Sequence, residues 1–206
     1  MGVVTKGGDA GYTSLFNGRR VLKSDHRVLT YGLVDLLNSQ IGVVLSQPVP
    51  VPQDHPSARD LAIILDRILD HLAGKVQPEL FNIGALLATE HDSESFSLIP
   101  RVSPESITIL EDQIKESEIV LPTMRFFIMP RGNLLASQAH VSRASCRHVE
   151  SVIIHYLHSN GIEKVPELSQ LVVYLNRLSD YLFILARVAA NTENYDQEQK
   201  WVPRKN

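Results

Sequence analysis

Apolar residues recur every three or four positions through most of this chain and almost nowhere alternate, which restricts it to packed helices. His26 to Gln47 carries Val28, Tyr31, Leu36, Ile41, Val44 and Leu45 at helical spacing. The four prolines between Gln47 and Pro56 mark a linker. Ser57 is the expected N-cap of a helix through Leu72, with Leu61, Ile64, Leu65, Ile68, Leu69 and Leu72 on its apolar side. Gly74 to Pro78 interrupts that pattern, and Glu79 to Ala88 resumes it. Thr89 to Val102 is polar and reads as irregular. Ser103-Pro104 predicts a capped helix with proline in its first turn, running to Ile119. Leu121 to Arg131 reads as an extended loop. A long helix is expected from Asn133 to Ser159, stopped at Asn160-Gly161, and a last one from Pro166 to Asn191. These two, at roughly 26 residues each, would span about 40 Å. The expectation is an all-α five-helix bundle in one domain over residues 1–206, with an ordered N-terminal loop (1–25) and a polar, flexible tail (192–206).

Composition narrows the function classes. At 206 residues and 44% hydrophobic, the chain suits a single packed core. A net charge of −3 argues against a general nucleic-acid binder. The single cysteine, Cys146, excludes an intrachain disulfide and fits a reducing compartment. No apolar run is expected to reach the roughly 18 residues of a membrane span. No signal peptide or Arg-rich transit segment is apparent. The expected location is cytoplasmic, or the mitochondrial matrix if a targeting segment has been removed.

The N-terminus carries the densest chemistry. Thr5-Lys6-Gly7-Gly8-Asp9-Ala10-Gly11-Tyr12-Thr13-Ser14 puts three glycines, a lysine and several hydroxyls into ten residues. Backbone N–H groups bare of side chains can close on a phosphate, with Lys6 as a point charge and Thr13 and Ser14 as donors. The spacing is not that of a Walker A loop, and a plain surface loop fits it as well. On the long helix, His140, Arg143, Arg147 and Glu150 share one face. Two guanidinium forks there match phosphate oxygens, although residue type alone favours a solvated or salt-bridged face. Asp35 stands among Leu33, Val34, Leu36 and Leu37 and needs a partner if buried. Asn176 and Asp180 align on the last helix with Phe183 and Arg187; ion pairing is the simpler account of Arg177 and Asp180. Phe127 alone would be read as core. His140, His148, His155 and His158 lack companions at metal-ligand spacing, with His155 and His158 expected near the surface. Cys146 is expected to be a buried, inert thiol, although neighbouring Arg147 would lower its pKa.

Several blocks taken together resemble the PduO-type ATP:cobalamin adenosyltransferases. They are Thr5–Gly11, Tyr31–Ser39, Phe127–Gly132, Ala139–Arg143, Arg147–Glu150 and Tyr174–Phe183, and the resemblance runs from about Val4 to Asn191. It implies a homotrimer with active sites between subunits. It implies ATP binding by Thr5, Lys6, Gly7, Gly8, Asp9, Gly11, Thr13, Ser14, Lys23, Arg147, Glu150 and Asn176. It implies Mg²⁺ on the phosphates and cobalamin as substrate. Arg143 would pair with Asp35, Arg147 would meet the triphosphate, and Phe127 would displace the lower axial ligand of cobalt. A B12-dependent mutase and a reductase are implied partners, and nucleic acid and membrane are not. Arg131, Leu36, His148 and Ser151 depart from the family pattern. The arginines lost at His148 and Ser151 motivate one alternative, an adenosylcobalamin carrier with weak or no transferase activity; a helical ATP-sensing module with no corrinoid is a third class.

Overall fold

The computed structural model describes residues 2, 4, 6–196 and 198–203. After an N-terminal turn, β1 (Tyr12–Ser14) and β2 (Arg20–Leu22) pair antiparallel with Thr13 opposite Val21. This small hairpin lies within the stretch expected to be an ordered loop. Seven α-helices follow: α1 (His26–Leu45), α2 (Pro56–His71), α3 (Gln77–Ala88), α4 (Glu94–Ser97), α5 (Pro104–Val120), α6 (Leu134–Ser159) and α7 (Pro166–Glu193). A π-turn, Leu72–Val76, joins α2 to α3 without a break. The α2–α3 rod therefore counts as one member of the five-helix bundle, beside α1, α5, α6 and α7.

Local chemistry fixes the ends. Asp25 caps α1 through Arg27 N–H (2.8 Å), Ser103 caps α5 through Ser106 N–H (3.1 Å), and Asn133 caps α6 through Ala136 N–H (2.9 Å). The expected cap at Ser57 is displaced to His55. With Pro56 in the first turn, the Ser57 N–H becomes a donor and His55 Nδ1 accepts it at 3.2 Å. Gly161, at φ 66°, closes α6, and the N–H of Ile162 reaches back to Leu157 O (3.0 Å).

Packing is organised around α7, which meets α6, α2 and α5, while α1 packs on α6 and α3. Tyr174, Leu175, Leu178, Tyr181, Leu182 and Leu185 of α7 are fully buried. Each such leucine removes apolar surface worth about 1.5–3 kcal/mol. The buried Tyr181 hydroxyl donates to Gln113 Oε1 (2.5 Å), so its polar end is satisfied.

Two expectations need correction. First, α1 is long and apolar enough to cross a membrane by length and composition, with a mean hydropathy of 1.5. Its inner side, Val34, Leu37, Ile41 and Val44, packs within the bundle, while Leu29, Leu36 and Val43 stay exposed. Second, the tail after α7 is docked where it is described. The chain turns at Asp196 (φ 59°), whose N–H is held by Asn191 Oδ1 (2.9 Å). Gln199 O then accepts from Met129 N (2.7 Å), and Trp201 N donates to Phe127 O (2.7 Å). Polar composition suggested fraying, but the Gln199 carbonyl and the Trp201 N–H are paired with the backbone of Met129 and Phe127.

Candidate active site

The N-terminal turn is built from Lys6 to Gly11. Lys6 adopts φ 55° and Gly11 φ 81°, and the N–H groups of Asp9 and Gly11 bond back to Lys6 O (3.3 Å) and Gly8 O (3.1 Å). Thr5 lies outside the described residues. Lys23 joins this turn: its N–H donates to Gly11 O (2.8 Å), and its ammonium lies so close to Gly8 that a Cβ there would come within 2.9 Å of Nζ. The Lys23 ammonium therefore packs over Gly8, and the turn and Lys23 form one cationic unit. Arg20, which sequence reasoning passed over, secures the turn. It donates to Gly7 O (2.6 Å) and, at 3.4 Å, to Ser14 Oγ. Its place emerges only with the hairpin register, which sets Ser14 opposite Arg20. At the other side of the hairpin, Arg19 and Asn17 both bond the Glu90 carboxylate, at 2.7 and 3.0 Å.

The α6 face holds the second group. His140 is buried against Phe183, ring centroids 6.1 Å apart, and its Nδ1 has no partner. Burial, and then the Arg143 charge, lower its pKa to about 4, so it is a neutral imidazole near pH 7. Arg143 is half-buried with Nε enclosed and unpartnered, while Arg147 is exposed. Glu150 accepts from Asn176 Nδ2 at 3.2 Å, which joins the α6 and α7 residues into one patch. Beside it, Arg177 pairs with Glu111 (2.6 Å) across to α5 and with Asp180 (3.7 Å) along α7, as the ion-pairing account expects.

Asp35 and Arg143 do not meet within the chain. Asp35 is exposed, and neither residue makes an ion pair among the described residues. They stand on outward faces that also expose Leu29, Leu36 and Val43 of α1 and Leu134 and Val141 of α6. Phe127 is 80% exposed rather than core, and its ring meets Trp201 edge-on at 6.4 Å. Cys146 is fully buried, its thiol donating to Leu175 O (3.3 Å). Desolvation drives that thiol pKa upward and outweighs the lowering by Arg147. His155 and His158 lie at the surface. Among the described residues no group of three or more His, Cys, Asp or Glu side chains is placed to hold a metal ion. The larger cavities of the single chain are lined by none of the residues expected to bind ATP or to work on cobalt. The expected site residues lie instead on open faces.

A helical bundle with a glycine turn at its N-terminus and an arginine-bearing face on its longest paired helices defines a narrow class. The family model described as cobalamin adenosyltransferase matches residues 3–189, and the chain belongs to that family. A cobalamin adenosyltransferase from Cupriavidus metallidurans is 34% identical over 90% of this chain and 86% of its own length. A corrinoid adenosyltransferase from Bacillus subtilis is 35% identical over 91% and 86%. Among solved structures, a phenylalanine-to-alanine variant of the PduO-type ATP:corrinoid adenosyltransferase from Lactobacillus reuteri, complexed with cobalamin and ATP, superposes with a TM-score of 0.77. It is 29% identical and covers 99% of this chain and 100% of that one.

Proposed function

We propose that this protein transfers the 5′-deoxyadenosyl group of ATP to the cobalt of a reduced corrinoid, releasing triphosphate. The observation that carries this reading is the end-to-end likeness to a corrinoid adenosyltransferase complexed with cobalamin and ATP. In the reaction the Co(I) electron pair forms the bond to C5′, and the C5′–O bond breaks with its electrons passing to triphosphate. The chain's contribution is positioning and electrostatic stabilisation of that leaving charge.

The Lys6–Gly11 turn with Lys23, and also Thr13 and Ser14, cradle the phosphates. Arg143 and Arg147 meet the charge that develops on triphosphate, and Asn176 and Glu150 hold the nucleotide between α6 and α7. Mg²⁺ would be held by the phosphate oxygens rather than by a protein cage, and would supply neutralisation of the leaving charge. Phe127 presents its ring to the lower face of the corrin and keeps the lower axial base off cobalt.

A homotrimer places the site between subunits. Its support is the exposed apolar stripe of α1 and α6, together with an Asp35 and an Arg143 that make no ion pair among the described residues. A B12-dependent mutase would take the product, and a reductase would supply Co(I). The reaction would run in the cytoplasm or the mitochondrial matrix.

The test is an anaerobic assay with MgATP and chemically reduced cobalamin, followed by visible spectroscopy. Conversion to light-sensitive adenosylcobalamin with release of triphosphate is the expected result. Corrinoid binding without conversion would make the protein a carrier, and ATP binding with no corrinoid binding would make it an ATP-sensing module.

A further inference from the structure

A cavity of about 750 Å³ lies beside the loop that follows Phe127, and it takes no part in the site described above. It opens between the start of α6, the end of α7 and the returning tail. Its lining includes Arg131, Gln53, Asn194 and Gln199, with Glu193 and Glu198. Three features mark it as a place for a charged, amide-rich ligand arm. Arg131 makes no ion pair among the described residues. Both oxygens of Glu198 are already held by Arg187, at 2.8 and 2.9 Å, so its charge is neutralised from the other side. The carboxamides offer donors and acceptors together, the groups that recognise other amides.

The cavity is tied mechanically to Phe127. Arg131 follows it by four residues, so the two Cα atoms lie within about 14 Å. The Arg131 N–H bonds Met129 O (2.8 Å), and Gln199, on the cavity wall, bonds Met129 N. Resting on the reading that Phe127 faces the corrin and keeps the lower base off cobalt, that base and its linker must go elsewhere. The linker is a flexible amide-bonded arm that carries one phosphodiester.

We propose that this cavity receives the displaced nucleotide arm of the corrinoid, with Arg131 binding its phosphodiester and the carboxamides meeting the corrin's peripheral amides. Guanidinium forks suit phosphate oxygens, and a side chain four residues from Phe127 has the reach to hold the arm as the base leaves cobalt.

The experiment compares binding of cobalamin with that of cobinamide, which has the corrin and its amides but no nucleotide arm. Each is titrated as Co(II) corrinoid with MgATP present and read by visible absorption. The proteins are the wild type, Arg131→Ala and Arg131→Glu. Arg131→Ala is expected to weaken cobalamin binding by roughly five- to tenfold and Arg131→Glu by more, with cobinamide binding unchanged in both. Because Arg131 is exposed, neither variant threatens the fold; unchanged cobinamide binding checks that directly. Equal weakening of both ligands, or of neither, in a protein that still makes adenosylcobalamin would overturn the subsite and leave the transferase reading standing. A wild type that binds neither corrinoid would overturn both.

Discussion

Arg187 holds both oxygens of Glu198, at 2.8 and 2.9 Å, and donates to Pro122 O at 2.7 Å from the same guanidinium. The arginine is 4% exposed and the glutamate 13%, so the pair is shielded from water. It ties three segments that are distant in sequence: the loop before Phe127, α7 and the tail. Removing Arg187 strands a carboxylate and a carbonyl at once.

Arg187→Ala should therefore cost about 3 kcal/mol of stability, as expected when one member of a buried pair is deleted. Glu198→Gln, which keeps most of the hydrogen bonding, should cost less. Urea denaturation at one fixed protein concentration measures both, since assembly adds to apparent stability. A loss below 1 kcal/mol for Arg187→Ala would mean that the tail is not held by this pair.

Arg147→Ala should lower turnover by at least about tenfold, a modest loss for a group that stabilises developing charge. Steady-state assays with chemically reduced cobalamin measure it. Unchanged turnover would remove Arg147 from the triphosphate.

Phe127→Ala separates two steps. With pre-reduced Co(I) the variant should stay active, while reduction of Co(II) on the enzyme should fall sharply, because the lower base would no longer be kept off the metal. Equal loss with either starting state would assign the ring a plain binding role.

His140 makes the fold sensitive to acid. Its pKa falls from 6.5 to about 4 in the folded protein, so the unfolded chain binds the proton more tightly. The neutral imidazole's stabilisation is complete above pH 6.5 and is lost as pH falls towards 4, by roughly 3 kcal/mol over the whole interval. His71, also lowered by burial, acts in the same direction. Comparing urea midpoints at pH 7 and pH 4.5 for wild type and His140→Gln isolates the His140 share. The variant should show a distinctly flatter dependence.

Cys146 should resist thiol reagents while the bundle is intact. Its thiol is fully buried and its pKa is raised by desolvation. Labelling should run at least about a hundredfold slower in buffer than in denaturing urea. Fast labelling of the native protein would reveal an opening between α6 and α7.

The helices were legible because their signals are local. The three-to-four spacing of Leu61, Leu65, Ile68 and Leu72, and the Ser103-Pro104 start, need no knowledge of distant residues. The α2 cap was misplaced by two residues because proline turned Ser57 from acceptor into donor. The hairpin went unread because three-residue strands hardly establish an alternation. The tail's docking depends on the pairing of Arg187 with Glu198 and on the Met129 and Trp201 backbone bonds, and none of these has a local sequence mark. In the site, helical spacing placed Arg143, Arg147 and Glu150 on one face, and the structure adds that Asn176 reaches Glu150. The proposed roles of Lys23 and Phe127 rest on motif resemblance, whereas Lys6 was also read from its place among the glycines. Arg20 was missed because its work is to hold the backbone of the turn.

The π-turn between α2 and α3 sets where this chain tolerates a change of length. A π-turn spends about one residue more than an α-turn over the same arc. Leu72 and Val76 at its ends are still fully buried, and Leu80, Ile83 and Leu87 continue the packed side beyond it, so the surplus leaves the flanking faces in phase. Gly74 and Lys75 in its middle are exposed. Deleting Gly74 would take up the slack into ordinary α-helix and leave every downstream leucine facing inward. The same deletion one turn earlier or later in the rod would swing the remainder by about 100° and unseat it.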